Sequence, residues 1–597
     1  MRVFNSSMSS TLQQTLQRAL ALYEDGKPHE AESLCDAVLV LDPDNADAWQ
    51  IAGLARLDRG LNGAARDAFE KSIALAPDLA GNHVNLATAL LRLGKPKQAL
   101  RSLEHALDLQ NDLPEAHYNL GNTLLALGRP VDAERAFERA IALRPDYAEA
   151  LNNLGQVLRD RGDAERATRN FHAALDASPD YGPAWSNLCG TLIDLGRTAD
   201  AIAAGRRAVL FVPGEARAHY NLGNAFAAAL IPAEAAACYR RALQIDPVFA
   251  DAFVNLGVSQ MRLGDCDKAI AALDHALTVD AGLPEANWNK ALALLLSGRL
   301  EEAWDLYEWR WRAVSGLTFP EIARPVWDGE SGQGRTVLVR CEQAYGDAIQ
   351  FSRYLPLVRE RGWRIVLECA PKLERLFRAS GLADTVLAFG VARPDFDFWL
   401  PVMSLPRVFE TSLDTIPSDI PYLVAGPVPM SGGDGGRADL KVGIVWQGSV
   451  TNDRGRYRSC ALADLAPLRQ LPGVSLFSLQ SQMSGEDREA LRQFSIPDLE
   501  TGLRDFADTA AAVLGLDLVI TVDTAMAHLA GALGRPVWTL LSAFPDWRWL
   551  LDRDDSPWYP GMRLFRQQRI GDWASVVGQV SSALLRYIEE REHWQCE

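Results

Sequence analysis

The sequence predicts an α solenoid followed by an α/β region of two doubly wound lobes, and three observations carry that prediction. Small residues recur at a fixed 34-residue step from about residue 11 to about residue 317. The helical period then gives way to short β-branched runs that alternate with helical ones. A Gly/Pro-rich stretch at 425–439 divides this second series in two.

The repeat comes first. Ala stands at Ala31, Ala65, Ala99, Ala133, Ala167, Ala201, Ala235, Ala269 and Ala303, and Gly at Gly26, Gly60, Gly94, Gly128, Gly162, Gly196, Gly264 and Gly298, with Leu230 the one departure. Pro43, Pro77, Pro145, Pro179, Pro213 and Pro247 keep the same step. Each unit reads as a helix, a turn at the Gly, a second helix and a break at the Pro. The Ala allows close helix approach, and Phe69, Phe137, Phe171 and Tyr239, four positions on, fill the space beside it. The pattern resembles the tetratricopeptide repeat and gives nine units, the first with a weak first-helix signature and the seventh with an altered turn. Such units bury their apolar faces by stacking into a superhelix with a long concave surface.

A polar series runs through the first helices at the same step: Asn85, Asn119, Asn153, Asn187, Asn221, Asn255 and Asn289. A carboxamide both donates and accepts, which suits it to gripping the backbone of an extended acceptor peptide. The eukaryotic protein O-linked N-acetylglucosamine transferases carry a similar asparagine ladder. Local hydrogen bonds between adjacent repeats are the other role open to an Asn at this position.

The aromatic, basic segment from Glu302 to Arg312 reads as the helix that packs the solenoid against the α/β region. Strand-like runs then occur at 336–341, 364–369 and 385–389, separated by helical segments. After the 425–439 linker, further runs occur at 441–448, 474–480, 517–523 and 536–541. This alternation predicts two Rossmann-like lobes, 318–424 and 440–597, whose strand carboxyl ends face a shared cleft.

Composition narrows the function classes. A net charge of −17 argues against a nucleic-acid binder that neutralises phosphate. The sequence has no run of about 20 apolar residues, and its first ten residues lack a signal-peptide core. The eight cysteines form no CxxC pair, so the expectation is a cytoplasmic chain without membrane insertion, structural zinc or disulfides.

Several segments of the second half carry a family resemblance. Asp523 to Leu541 (DTAMAHLAGALGRPVWTLL) resembles the donor-site segment of heptosyltransferase-like glycosyltransferases, whose two-lobed fold is called GT-B. Residues 342–356, 395–406 and 544–567 look like the bacterial variant fused to tetratricopeptide repeats, an architecture shared by some flagellin glycosyltransferases. The resemblance implies an acceptor-side first lobe, a donor-side second lobe, and a nucleotide sugar as co-substrate. It implies no other cofactor and no metal.

The candidate site residues come from the resemblance and from local chemistry. Asp347 matches the position of the family's proposed general base, although an Asp there would equally cap the helix that begins beside it. Asp523 closes a strand, and Thr524 opens a helix whose backbone N–H groups suit a phosphate. Ala525 is small enough for close approach, and His528, one turn on, would reach the phosphate or serve structure. Gly346 and Gln447 join the donor side, as do Arg454, Arg456 and Arg458, whose guanidinium groups suit a leaving phosphate. The Asp395–Phe396–Asp397 triplet reads as structural.

Three functions are compatible with this sequence. One is protein O-glycosyl transfer from a nucleotide sugar to Ser/Thr of an acceptor recruited by the repeats, flagellin being the acceptor the resemblance suggests. The others are glycosyl transfer in cell-surface polysaccharide or lipopolysaccharide synthesis, and a non-catalytic repeat adaptor.

Overall fold

The computed structural model describes residues 2–342, 344–426, 439–448 and 455–595. It forms two compact units, Met1–Pro247 and Val248–Glu597.

The first unit is seven repeats of paired helices, of which Ala46–Asp58 with Asn62–Leu75 is typical. All nine grid alanines of the chain are fully buried. Each turn glycine lies in the left-handed region, at φ between 68° and 85°. The next residue then donates to a carbonyl five positions back, as Lys27 does to Leu22 at 2.9 Å, which satisfies a helix-end acceptor. Leu230 makes the same turn at φ 60°, and Ile231 still donates to Phe226 at 2.9 Å. The repeat geometry overrides the side chain's own preference there.

A second size rule operates between helices. A Cβ added to Gly53, Gly121, Gly155 or Gly223 would come within 2.4–2.6 Å of the ring of Phe69, Phe137, Phe171 or Tyr239 respectively. Where the first helix instead carries Cys189, the ring position is Gly205, whose added Cβ would lie 3.1 Å from the Cys189 Sγ. The larger side chain there comes from the first helix, and Leu222 also reaches the space beside Gly205, as close packing requires.

The second unit contains the eighth and ninth repeats and both α/β lobes. Its first sheet has the parallel order β3-β2-β1-β4, from β1 (Thr336–Arg340), β2 (Arg364–Cys369), β3 (Thr385–Ala388) and β4 (Phe398–Pro401). Its second has the parallel order β6-β5-β7-β8-β9, from β5 (Leu440–Val445), β6 (Val474–Ser478), β7 (Leu518–Val522), β8 (Val537–Leu541) and β9 (Met562–Arg566). The central strands are buried on both faces, as all-parallel sheets require. Seven of the strands coincide with the expected runs. β4 begins directly after the Asp395–Asp397 triplet, and β9 has no counterpart among those runs.

One buried apolar cluster runs from Cys266 and Leu300 through Val339, Trp363, Leu529 and Trp558, so the last two repeats and both lobes share a core. The segment from Glu302 to Arg312 packs against the first lobe, but as two helices, Leu300–Tyr307 and Arg310–Ala313, rather than the single one expected. Trp304 donates its indole N–H to the Thr411 carbonyl at 2.7 Å, and Arg310 grips both oxygens of Glu342 at 3.0 Å.

Candidate functional site

The site is built from the segments that leave the carboxyl ends of β1, β5, β7 and β8. After β1 comes helix α1 (Tyr345–Phe351), and after β7 comes helix α2 (Ala525–Ala532). The two helices cross closely enough that a Cβ on Gly346 would lie 3.0 Å from the His528 ring and 3.5 Å from the Ala525 backbone. Gly346 is therefore buried packing between the lobes, not a surface offered to a donor.

Asp347 sits in the first turn of α1, but the N-cap is Ala344 and Asp347 makes no capping bond. Its Oδ1 instead accepts from Arg548 Nη2 at 2.7 Å, with 23% of the side chain still accessible. Burial pushes the Asp347 carboxyl above its ordinary range, against the opposing charge of Arg548. The helix-cap role is excluded by this geometry.

Asp523, at the end of β7, accepts from Arg458 Nη1 at 2.9 Å. Burial works against the Arg458 charge, but Asp523 and Asp546 more than offset it and hold the guanidinium protonated. Arg458 thus approaches the site already paired. Arg454 lies outside the described residues, as does the side chain of Arg456. Gln447 is held through its backbone, which exchanges bonds at 3.0 Å with the Gln480 amide in both directions.

The expected phosphate cradle at Thr524 is partly occupied by the protein itself. The Thr524 hydroxyl caps the Met526 N–H at 3.2 Å and lies 3.0 Å from the Thr521 hydroxyl. Ala525 remains half-buried beside it. His528 is enclosed: its Nδ1 lies 3.0 Å from the Tyr559 hydroxyl and its ring stacks on Trp549 at 5.3 Å. Burial, aided by the charges of Arg548 and Arg353, holds the imidazole neutral, well below its ordinary pKa. That arrangement gives His528 a structural role between the lobes and corrects the expectation of a phosphate contact.

Three site residues escaped sequence inspection. Arg548 is buried on the loop after β8 and bonds Asp347, Asp546 and Gln350 together. Arg353, also buried, donates to the carbonyls of Trp558 at 2.6 Å and Pro417 at 3.2 Å and lies 4.5 Å from the Tyr559 ring. It ties the first lobe to the second, so the lobes meet through packed side chains; residues 427–438 of the expected linker lie outside the described residues. Gln350 links α1 to Arg548. The only sequence signal for these was their place inside segments 342–356 and 544–567, since pairings across some 200 residues leave no local pattern.

Asp397 is structural as expected, its Oδ2 accepting from the Thr336 N–H at 2.8 Å. Among the described residues, no group of three or more His, Cys, Asp or Glu is placed to hold a metal. A cavity of about 630 Å³ between the eighth-repeat turn and the loop after β8, lined by Leu263, Asp265, Asp267, Leu551, Asp552 and Arg553, contains none of the site residues above.

The seven ladder asparagines are all half-buried. In the first unit the amide N–H groups of four of them reach back one repeat: Asn119 to Thr88 at 3.1 Å, Asn153 to Asn122 at 2.9 Å, Asn187 to Asn152 at 2.9 Å and Asn221 to Ser186 at 2.9 Å. Asn289, in the second unit, bonds its own helix at Glu285. The donor half of these carboxamides thus serves the repeats.

Tetratricopeptide-repeat profiles match residues 16–80, 118–182 and 254–308, and further profiles of that repeat cover 78–146, 158–225, 216–247 and 233–264. The repeats of the N-terminal part are tetratricopeptide repeats, followed by a parallel α/β region. Protein FlbA of Caulobacter vibrioides is 27% identical over 361 residues, spanning 55% of this chain and 60% of that protein. This chain therefore matches less than two thirds of its relative's length. Among solved structures, the APC/C hetero-tetramer Cut9–Hcn1 aligns at TM-score 0.40 and 16% identity over 47% of this chain and 55% of that one. YrrB, described as a TPR protein with an unusual peptide-binding site, aligns at TM-score 0.27 and 24% identity over 31% of this chain and 96% of that one. Among the described residues, no helix is long and apolar enough to cross a membrane.

Proposed function

We propose that this protein is an O-glycosyltransferase of the two-lobed GT-B type that moves a sugar from a nucleotide donor to a Ser/Thr hydroxyl of a protein recruited by the repeats. The observation that carries this reading is the pairing of Asp347 with Arg548 and of Asp523 with Arg458, with Asp523 near enough to influence Asp347, on segments that leave the carboxyl ends of two parallel sheets, the position at which such sheets bind ligands. In the reaction, the acceptor oxygen forms a bond to the anomeric carbon as the bond from that carbon to the phosphate oxygen breaks. The hydroxyl proton passes to the Asp347 carboxylate, and the nucleoside phosphate leaves with the electron pair. A carboxyl raised by burial suits a base that must bind that proton. In this reading Arg458, paired with Asp523, and the start of helix α2 would stabilise the charge that develops on the leaving phosphate.

The repeats favour a protein acceptor, and the resemblance of the second half suggests flagellin. A glycan acceptor of surface-polysaccharide synthesis is the second reading. Intact-mass comparison of the proteins of cells with and without this gene decides between them. A protein that loses one sugar mass supports the proposal, whereas unchanged protein masses with altered surface glycan overturn it.

A further inference from the structure

Arg548 is placed as an orienter of a base must be. Its Nε donates to Gln350 Oε1 at 2.6 Å, its Nη1 to Asp546 Oδ1 at 2.7 Å and its Nη2 to Asp347 Oδ1 at 2.7 Å. The face of its guanidinium lies 4.4 Å from the Trp547 ring centroid. Trp547 packs edge-on against Trp304 at 5.9 Å and Tyr307 at 6.0 Å, both from the ninth repeat. One planar fork is therefore clamped by α1, by the loop after β8, and by the end of the solenoid.

Gln350 adds a second observation. It is fully buried, and its Nε2 has no hydrogen-bond partner among the described residues. An unpaired buried amide costs stability, and an apolar residue would avoid that cost. What the glutamine supplies is the carbonyl that fixes Arg548.

We propose that Arg548 is the positioning residue for Asp347: it occupies Oδ1 from a fixed direction and leaves Oδ2 to take the proton of the acceptor hydroxyl. This rests on the transferase reading above. Arg548 also opposes the effect of burial on the carboxyl, while Asp546, bound to the same guanidinium, moderates that influence. The other charged or titratable groups facing Asp347 are Tyr307 and Arg310 from the ninth repeat, Glu342 after β1 and Asp523 after β7. A guanidinium makes this arrangement with three acceptors at once, and an ammonium does not.

The test uses the full chain and two readouts. The first is carboxyl footprinting with a carbodiimide and glycine ethyl ester across pH, read at Asp347 by mass spectrometry. The second is the rate at which variants restore the sugar mass to protein in cells lacking the gene. Arg548→Met should raise the pH midpoint of Asp347 labelling by about one unit or more, since a close opposite charge is removed. Arg548→Lys should leave the midpoint near wild type yet slow transfer ~10²-fold, because the charge survives but the geometry does not. Should Arg548→Met not fold, Asp546→Asn carries the first readout, and the midpoint should fall. An unmoved midpoint in folded Arg548→Met or, in its place, Asp546→Asn, or wild-type transfer by Arg548→Lys, overturns the proposal. If the wild-type chain adds no sugar to any protein, the transferase reading fails instead, and the two failures are distinct.

Discussion

Asp347 and Arg548 are 201 residues apart in the chain, yet Oδ1 and Nη2 meet at 2.7 Å. The pair joins the carboxyl ends of two sheets. It also removes helix capping as an account of Asp347, because Ala344 holds the N-cap position. Replacing Asp347 by Asn should lower turnover by ~10²–10⁴ if it is the base, with donor affinity retained. Single-turnover rates beside calorimetric donor binding check this. Loss of donor affinity at unchanged turnover would place Asp347 on the donor instead.

The pH dependence has a definite sign. Transfer requires the Asp347 carboxylate, so activity should rise with pH through its pKa. Burial raises that pKa, so the acid limb of kcat/KM should lie above the ordinary carboxylate value of about 4. His528 is held neutral far below its usual range, so no limb should arise from it between about pH 6 and 8. His528→Phe should accordingly lower Tm, through loss of the Tyr559 bond, and leave donor affinity within about twofold. A large loss of donor affinity in a folded variant would return His528 to the phosphate.

The repeat was legible in the sequence because its physics is local. A left-handed turn needs Gly, a close crossing needs Ala, and each recurs. Strands β1, β2, β5, β7 and β8 were legible because buried parallel strands read as unbroken β-branched runs. β9 (MRLFR) was hidden by its arginines, which sit at half-buried positions. The site was legible where a segment follows a strand end, at Asp347, Asp523 and Arg458. Arg548, Arg353 and Gln350 matter through partners from distant segments, and only the folded arrangement brings those together.

Leu230 is the place where the repeat departs from its own rule. A non-glycine residue at φ 60° is strained, at a cost of roughly 1–2 kcal/mol. Leu230→Gly should therefore stabilise the seventh repeat by about 1 kcal/mol, less whatever its half-buried side chain contributes. Urea unfolding followed at the first transition, or hydrogen exchange at Ile231, gives the answer. A lower midpoint would show that side-chain packing outweighs the turn.

The glycine–ring complementarity makes a paired prediction. Gly155→Ala would drive a methyl to within 2.6 Å of the Phe171 ring and should destabilise by about 1–3 kcal/mol, the range for overpacking. The ring position tolerates smaller residues elsewhere in the array, since Gly205 occupies it opposite Cys189. Phe171→Leu made together with Gly155→Ala should thus recover much of the loss. A double-mutant cycle with no coupling would show that the ring has room to move.

The asparagine ladder poses a separate question, because its side chains serve the repeats and could also serve a ligand. Asn119, Asn153, Asn187 and Asn221 each donate to the preceding repeat, which makes their carbonyl oxygens the groups a peptide N–H would meet, although that of Asn153 also accepts from Asn152 at 3.2 Å. A single Asn→Ala change removes one neutral bond on each side, each contributing about 0.5–1.5 kcal/mol, so it should lower Tm slightly and weaken capture little. The quadruple Ala variant should abolish acceptor capture. Because it also loses six inter-repeat bonds, a quadruple Asn→Asp variant is the necessary partner: it keeps the oxygens, loses the donors and adds like charge. If the ladder accepts from a peptide, the Asp variant should retain capture where its circular-dichroism melt shows folded repeats, while the Ala variant, tested below its own Tm, should not. Pulldown of the acceptor identified by intact mass supplies the measurement. Capture by both folded variants at wild-type strength would make the ladder a device for holding repeats in register and would locate the acceptor elsewhere on the solenoid.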